Sequence, residues 1–248
     1  MAVSQSETHQ VFNQPKPLEN YNAYEADTVL QYWQNRFAGQ WGTVHLAAFG
    51  EQVGGVLLQA GFLANKHLPE LTTHSRFGER IDQVDYHPSY HELMQHAIEQ
   101  GHCALPWQQQ KAGSHVVRAV MAVLHNHADP GSGCPLTMTF ASVPAIASQE
   151  NIAAMWLPKI MANHYNPDDK PWSEKKGVTI GMAMTEKQGG SDVRANTTKA
   201  AAINESTVQS KIAITFFTLF SIFDISGSCC LFFIRLRRPS NFVSIKSL

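Results

Sequence analysis

This chain of 248 residues has almost no excess of positive or negative charge, and its few cysteines are not regularly spaced. Lys and Arg number 19 against 20 Asp and Glu, a formal net charge of −1, so the overall charge does not indicate nucleic-acid binding. The cysteines are Cys103, Cys134 and the adjacent pair Cys229-Cys230, and no CxxC spacing occurs. Because adjacent cysteines rarely form a regular disulfide framework, we expect free thiols in a reducing compartment.

Targeting signals are also lacking at the ends of the sequence. The first residues, MAVSQSETHQ, contain neither a basic region followed by an apolar run nor the arginines of a mitochondrial presequence. The final Lys-Ser-Leu differs from the peroxisomal Ser-Lys-Leu. We therefore expect a cytoplasmic protein.

Apolar residues recur at three- and four-residue spacing through much of the first 165 residues, which predicts helices. The expected helices are Val29–Phe37, Thr43–Leu68, His87–Gln100, a segment that begins at Ser114, Thr139–Ser148 and Asn151–Asn163. Thr43 is the expected N-cap of the second helix, and its Gly54-Gly55 pair would let another helix pack closely. The polar segment Thr72–Asp85 is expected to be a loop.

The segment Gly177–Val193, GVTIGMAMTEKQGGSDV, combines an apolar run with a glycine-rich polar loop. Its apolar residues follow the two-residue period of a strand with one buried face. Gly189-Gly190 lets backbone N–H groups approach a phosphate or a ring carbonyl, and Thr185 and Ser191 add hydroxyls. These residues alone fit a cofactor loop and a plain hairpin turn equally well.

The same segment resembles the M-x-M-T-E-x-x-x-G-S-D loop of the acyl-CoA dehydrogenase family, and Lys-Gln-Gly at its centre is similar to the AidB-type, alkylation-response branch. VFNQPKPLENYNAY, DYHPSYHELMQ, CPLTMTFASVPAI and ANTTKA agree in the same order, so the likeness covers about residues 9 to 200. It implies an α+β fold: an N-terminal all-α domain, a middle β-barrel and a C-terminal helical bundle.

The chain is accordingly expected to divide into four parts. These are an extended arm over residues 1–24, a helical domain over 25–176, the start of the β domain with its flavin loop over 177–210, and a divergent apolar tail over 211–248. Because the sequence ends before the family's third domain would begin, we expect the C-terminal bundle to be missing and the chain to be inactive alone.

The resemblance implies FAD as the cofactor and assigns its contacts position by position. Met182 and Met184 match loop positions whose backbone contacts the flavin ring. Thr185 matches a Thr whose hydroxyl bonds the polar edge of the ring, and Gly190 lies in the same loop. Ser191 matches a Ser near the cofactor pyrophosphate and the acyl-CoA.

On the other side of the ring, the family has a G-x-K-W-F-x-S-type strand. An ungapped count places Phe216, Phe217 and Thr218 there, although the preceding Lys and Trp are missing from this sequence. The apolar run that contains them, residues 212–234, has three interpretations: an aberrant end, strands of an incomplete barrel, or a membrane span. We favour the first, because the residues after Thr218 match nothing in the family. The third is disfavoured, because Asp224 and several hydroxyls make the run a poor span.

The implied activity is flavin-dependent α,β-dehydrogenation of an acyl thioester, with acyl-CoA as substrate and a homo-oligomeric full-length protein. In full-length form it would act in fatty-acid metabolism or in a DNA-associated alkylation response. The catalytic glutamate of the family lies in the C-terminal bundle, so no residue here is assigned as catalytic. We expect no DNA binding by this chain, since Arg235, Arg237 and Arg238 are too few to replace the family's basic C-terminal region.

The alternatives to this interpretation are a metal site and a non-enzymatic interaction module. A metal site is not expected, because His87 and His91 in HPSYH lack the glutamate of the HExxH zinc motif. The alternative function is a non-enzymatic helical interaction module, tethered to a membrane through residues 212–234. A colourless purified protein would favour that alternative over a flavoprotein.

Overall fold

The computed structural model describes residues 12–181, Thr185, Ser191 and Asp192, together with the backbone of two short strands near the C-terminus. The helices are α1 (Thr28–Ala38), α2 (Thr43–Gly54), α3 (Val56–Lys66), α4 (Pro88–Glu99), α5 (Leu105–Gln108), α6 (Ser114–Ala128), α7 (Gly133–Ala147) and α8 (Glu150–Ile160). The strands are β1 (Glu70–His74), β2 (Arg80–Asp85), β3 (Phe216–Leu219) and β4 (Cys229–Phe232). The described chain is thus mainly helical, and a barrel-type middle domain is not confirmed.

The main apolar core lies where α2, α3 and α6 pack together. Its fully buried side chains include Leu46, Phe49, Leu57, Met121 and Leu124. These residues recur at helical spacing within each element, which is why the periodicity of the sequence predicted them. Burial of each such side chain contributes roughly 1.5–3 kcal/mol relative to exposure.

The second predicted helix is in fact two helices. α2 and α3 meet at Gly55 with a bend of 48°. The close neighbour of Gly54 is not another helix, as the sequence suggested, but the N-terminal arm: the backbone N–H of Asn20 donates to the Gly54 carbonyl at 2.8 Å. A Cβ at Gly54 would collide with the Tyr21 carbonyl, so this crossing requires glycine. The N-cap of α2 is Gly42 rather than the expected Thr43.

The segment expected to be a loop over Thr72–Asp85 instead forms an antiparallel hairpin of β1 and β2. Glu70 pairs with Asp85, and the register shifts between Thr72 and His74. Both strands are largely exposed, so their residues lack the alternating pattern of a half-buried strand. That is the physical reason that periodicity did not reveal them.

A second group of apolar residues joins α7 and α8 to the chain that follows them. Trp156 and Ile160 of α8 are buried with Val143 and Ile146 of α7. The sequence analysis placed the start of α7 at Thr139, but the helix begins six residues earlier at Gly133. The short helix α5 was not predicted.

β3 and β4 form an antiparallel pair within residues 212–234 and pair Phe216 with Phe232. The described residues of that run are therefore β strand rather than helix, and the choice between an aberrant end and strands of a barrel stays a prediction. Among the described residues no single helix is long and apolar enough to cross a membrane, although the bent pair α2–α3 passes on length and composition alone.

Candidate functional site

Residues 178–181, which lead into the predicted cofactor loop, lie across α7 and α8. The backbone N–H of Val178 donates to the Lys159 carbonyl at 3.1 Å, and that of Ile180 donates to Thr139 Oγ1 at 3.0 Å. Val178 and Ile180 pack against the apolar residues of α7 and α8, whereas Thr179 and Gly181 are exposed. Burial thus alternates as the sequence predicted, but no strand pairing is assigned over the described residues 178–181.

Thr139 connects α7 to this segment. Its hydroxyl donates to the Pro135 carbonyl at 2.7 Å and accepts from Ile180 N–H at 3.0 Å. Thr139 is 1% exposed, and its two hydrogen bonds are partly buried. A buried hydroxyl can satisfy a donor and an acceptor at once, which valine of similar shape cannot.

Lys159, near the end of α8, holds the chain on the other side of the segment. Its ammonium donates to the carbonyls of Trp172 at 3.1 Å and Ser173 at 3.0 Å, and also to that of Lys175. The Trp172 ring stacks on Trp156 with centroids 4.5 Å apart. A charged donor bound to three carbonyls fixes the path of residues 172–175 before the chain reaches Gly177.

At Gly177 the backbone of this segment lies close against the backbone of His164. A Cβ there would collide with the carbonyl oxygen of His164, so a side chain cannot be accommodated without movement of the backbone. The residue is buried, and Val178 follows directly on its way to α8. The path of residues 177–181 therefore depends on this glycine as well as on the hydrogen bonds of Val178 and Ile180.

An aromatic group covers the neighbouring face of α7. Phe140 stacks on Trp107 at 5.0 Å, and the Arg118 guanidinium lies 4.1 Å from the centre of the Phe140 ring. Pro144 within α7 has no N–H, so it leaves the carbonyl four residues earlier without its helical donor. That carbonyl belongs to Phe140, and the Trp107 indole N–H donates to it at 3.2 Å.

Two of the predicted cofactor-binding residues, Thr185 and Ser191, lie within the described structure. Thr185 and Ser191 are both exposed, so their hydroxyls are accessible to a ligand. Met182, Met184 and Gly190 lie outside the described residues. For this part of the prediction the structure shows the approach to the loop rather than the loop itself.

The other three predicted residues, Phe216, Phe217 and Thr218, belong to β3, of which the backbone is described. β3 lies beside α7, the helix that holds Ile180. Two segments distant in sequence therefore meet at one helix.

Thr139, Lys159 and Trp107 were not predicted to belong to this site. Thr139 lies within CPLTMTFASVPAI, one of the stretches that carried the resemblance, so its place in a shared motif was the available signal. Lys159 and Trp107 had no comparable signal, because their roles depend on carbonyls in other elements.

A family model described as the N-terminal domain of the adaptive response protein AidB matches residues 13–167, which include the whole helical part. The chain belongs to this family. The AidB-type prediction made from the loop and the other four stretches is therefore confirmed. As an AidB N-terminal domain, the chain is related to acyl-CoA dehydrogenases.

Two curated relatives agree with this assignment. The chain is 39% identical over 202 residues to AidB of Escherichia coli (strain K12), and the match covers 80% of this chain. The name of that relative describes it as an acyl-CoA dehydrogenase. It is 26% identical over 181 residues to acyl-CoA dehydrogenase family member 11 of Caenorhabditis elegans, with 70% of this chain covered. The AidB-type chain spans 37% and 28% of these relatives' own lengths.

Solved structures share the fold. Caenorhabditis elegans ACDH-11, in a crystal structure with C11-CoA, has a TM-score of 0.62 and 20% identity over 76% of this chain and 32% of that one. Bd2924 in its apo form has a TM-score of 0.66 and 22% identity over 92% of this chain and 48% of that one. At 20% and 22% identity these structures show only that the AidB-type chain shares their fold.

Proposed function

We propose that this chain forms the helical wall and the first cofactor-loop contacts of an FAD-dependent oxidoreductase that acts on the CH–CH bond of acyl-CoA. The observation that carries the proposal is the attachment of the segment before Thr185 to α7, through the Ile180–Thr139 hydrogen bond, within a stretch that bears the family's motif. Two loop hydroxyls that are exposed in the described structure, those of Thr185 and Ser191, fit the polar edge and the pyrophosphate of FAD.

The residues of this chain position and shield the cofactor. Val178 and Ile180 are fixed on α7 and α8, so Thr185 enters the loop from a rigid base. Thr185 would donate to, or accept from, the ring edge, and β3 would cover the opposite side. When bound, FAD accepts the hydride from the acyl chain. The proton-abstracting carboxylate would come from the portion of the relatives that this chain does not match.

The test is flavin binding by the full chain, measured by flavin absorbance after purification and by a fluorescence titration with FAD. We expect a yellow protein, and we expect Thr185→Val to weaken FAD binding by about 1 kcal/mol, or roughly fivefold in Kd. Thr179→Val is the matched control, because Thr179 is exposed in the same segment and has no proposed flavin contact. A colourless chain, or equal affinity of the two variants, would contradict the proposed role of Thr185.

Further properties of the full-length protein belong to the same proposal. The family's adaptive-response description supports a role in the response to alkylation, and acyl-CoA and self-association are proposed as properties of the whole protein. We also propose a cytoplasmic location. Cys103 is buried and Cys134 exposed, and both are free thiols, which is compatible with a reducing compartment.

A further inference from the structure

A cavity of about 420 Å³ lies at the foot of the β1–β2 hairpin, between the end of α3, the start of α4 and the turn between α6 and α7. Its walls are Ala64, Asn65, His67, Pro69, Tyr86, His87, Tyr90, Asp129, Gly131, Ser132 and Pro135. None of these described lining residues is Lys or Arg. The volume is within the range of small-molecule sites, and the cavity is separate from the segment on α7 and α8 that leads to the cofactor loop.

The wall of this cavity contains a buried carboxylate, that of Asp129, which is 3% exposed. The carboxylate accepts from Asn65 Nδ2 at 3.1 Å, from Gly131 N–H at 3.1 Å and from Ser132 N–H at 2.8 Å. Hydrogen bonds from these groups outweigh burial and hold the pKa of Asp129 below its ordinary value, so the group is ionised at neutral pH. All three residues are neutral.

No cation neutralises this charge within the described part of the chain. The ion pairs found there join Arg80 to Asp82 and Lys170 to Asp168, both at the surface. Lys66, next to Asn65 in sequence, is exposed. A buried negative charge without a cationic partner leaves a local field that favours a positive ligand.

Aromatic rings supply the second feature of the cavity. Tyr86 and Tyr90 stack with centroids 4.4 Å apart, and His67 and His87 stack at 4.6 Å. The face of an aromatic ring attracts cations, so the tyrosine pair in the lining is the second part of the candidate site.

Two acidic residues, Glu70 and Asp85, adjoin lining residues of the cavity in sequence. Glu70 follows the lining residue Pro69, Asp85 precedes the lining residue Tyr86, and the two carboxylate residues pair across the hairpin. Two like charges in directly opposite positions destabilise a strand pair on their own. A positive ligand nearby would relieve that repulsion.

We propose that this cavity binds a small organic cation of the alkylammonium class. The oxygens of Asp129 already accept hydrogen bonds, and among the described residues no group of three or more His, Cys, Asp and Glu could hold a metal ion. An alkylammonium ion needs no direct coordination, because aromatic faces and the field of the carboxylate hold it. This binding site does not depend on the proposed flavin function.

The test uses choline chloride as the probe and its neutral carbon isostere, in which carbon replaces the quaternary nitrogen, as the matched control ligand. Amide resonances of Gly131 and Ser132 in the ¹⁵N-labelled full chain are followed by NMR at matched ionic strength. We expect saturable shifts with choline and an affinity at least about tenfold lower for the isostere. Equal affinities, or no saturable shift with choline, would overturn the proposal.

Variants identify the residues responsible. Tyr86→Leu and Asp129→Asn should each weaken choline binding by about fivefold or more, whereas Tyr32→Leu, an exposed tyrosine on α1, should have no effect. Tyr86 is 39% exposed, so its replacement leaves the core intact and the test remains decisive even if Asp129→Asn impairs folding. Unchanged choline affinity in Tyr86→Leu would refute an aromatic cation site.

Discussion

His102 and His125 are two imidazoles in the interior of the helical domain, 1% and 0% exposed, with ring centroids 5.8 Å apart. His125 Nε2 lies 2.7 Å from Ser132 Oγ, and neither Nδ1 atom has a hydrogen-bond partner in the described structure. Burial lowers the pKa of His125 to about 4. Burial also lowers the pKa of His102, and the nearby Arg118 guanidinium lowers it further.

These histidines should make the domain sensitive to mild acid. His125 binds a proton near pH 6.5 in the unfolded chain and only near pH 4 in the folded chain. The free energy of unfolding therefore falls as the pH drops between these values. For His125 alone the full effect is about 3 kcal/mol. We expect the free energy of unfolding, measured with urea, to fall from pH 7 to pH 5 by less in His125→Gln than in the unchanged chain. His74→Gln, which alters an exposed residue, is the control, and identical pH slopes for all three chains would contradict this account.

Thr139 offers a second test at the same scale. Thr139→Val removes the acceptor for Ile180 N–H and should cost about 1 kcal/mol, because that amide is left without a partner at a partly buried position. We expect faster hydrogen exchange at Ile180, measured by NMR, with little change at the core residue Leu124. Thr139→Ser keeps the hydroxyl and should retain most of the protection. Equal exchange rates in the two variants would show that the hydroxyl does not hold the segment.

Among the elements, the boundary between α2 and α3 depends on the arm that crosses it. Gly54→Ala places a methyl group against the Tyr21 carbonyl, whereas the Cβ of Gly55→Ala meets the Glu51 carbonyl oxygen at 3.1 Å. We expect Gly54→Ala to lower the free energy of unfolding by about 1–3 kcal/mol through this overpacking. Gly55→Ala should have a much smaller effect. Urea unfolding of the two matched variants decides the question, and equal losses would contradict the close approach of the arm.

The α7 helix shows how one element serves two contacts. Pro144 deprives the Phe140 carbonyl of its helical donor, and the Trp107 indole replaces it. Thr139, one residue earlier, accepts from Ile180. The part of α7 around Phe140 therefore binds both α5 and residues 178–181 through neighbouring positions.

At the scale of the whole molecule, the hairpin of β1 and β2 is the part of the described chain that we expect a protease to cleave first. In the described structure its strands pair with each other and are largely exposed, and a two-stranded hairpin is marginally stable in water. We expect trypsin to cleave at Arg76 or Arg80 before Arg118 or Lys159, which lie in α6 and α8. Mass spectrometry of timed digests measures the order of cleavage.

The nicked chain should keep its helical core, because the residues of that core lie outside the hairpin. The fragments should elute together in size-exclusion chromatography and retain their helical circular dichroism. In the double variant Arg76→Gln, Arg80→Gln the early cleavage should disappear. Early cleavage at Arg118 would instead mean that α6 opens more readily than the hairpin.

The sequence by itself determined most of the helices and the family. Leu30 N–H donates to the Asp27 carboxylate at the N-terminus of α1, and α4 begins at Pro88, one residue after the expected start at His87. These features depend on neighbours within a few residues. The motifs also identified Thr185 and Ser191 as candidate cofactor contacts, which stays a prediction.

Tertiary structure alone decided where the chain bends and what the site rests on. The split at Gly55, the exposed hairpin and the contact of Thr139 with Ile180 all join residues that are distant in sequence or lack a buried face. Local periodicity reports only which side of an element is buried. It carries no record of which carbonyl Lys159 or Trp107 will meet, because those partners come together only when the helices pack.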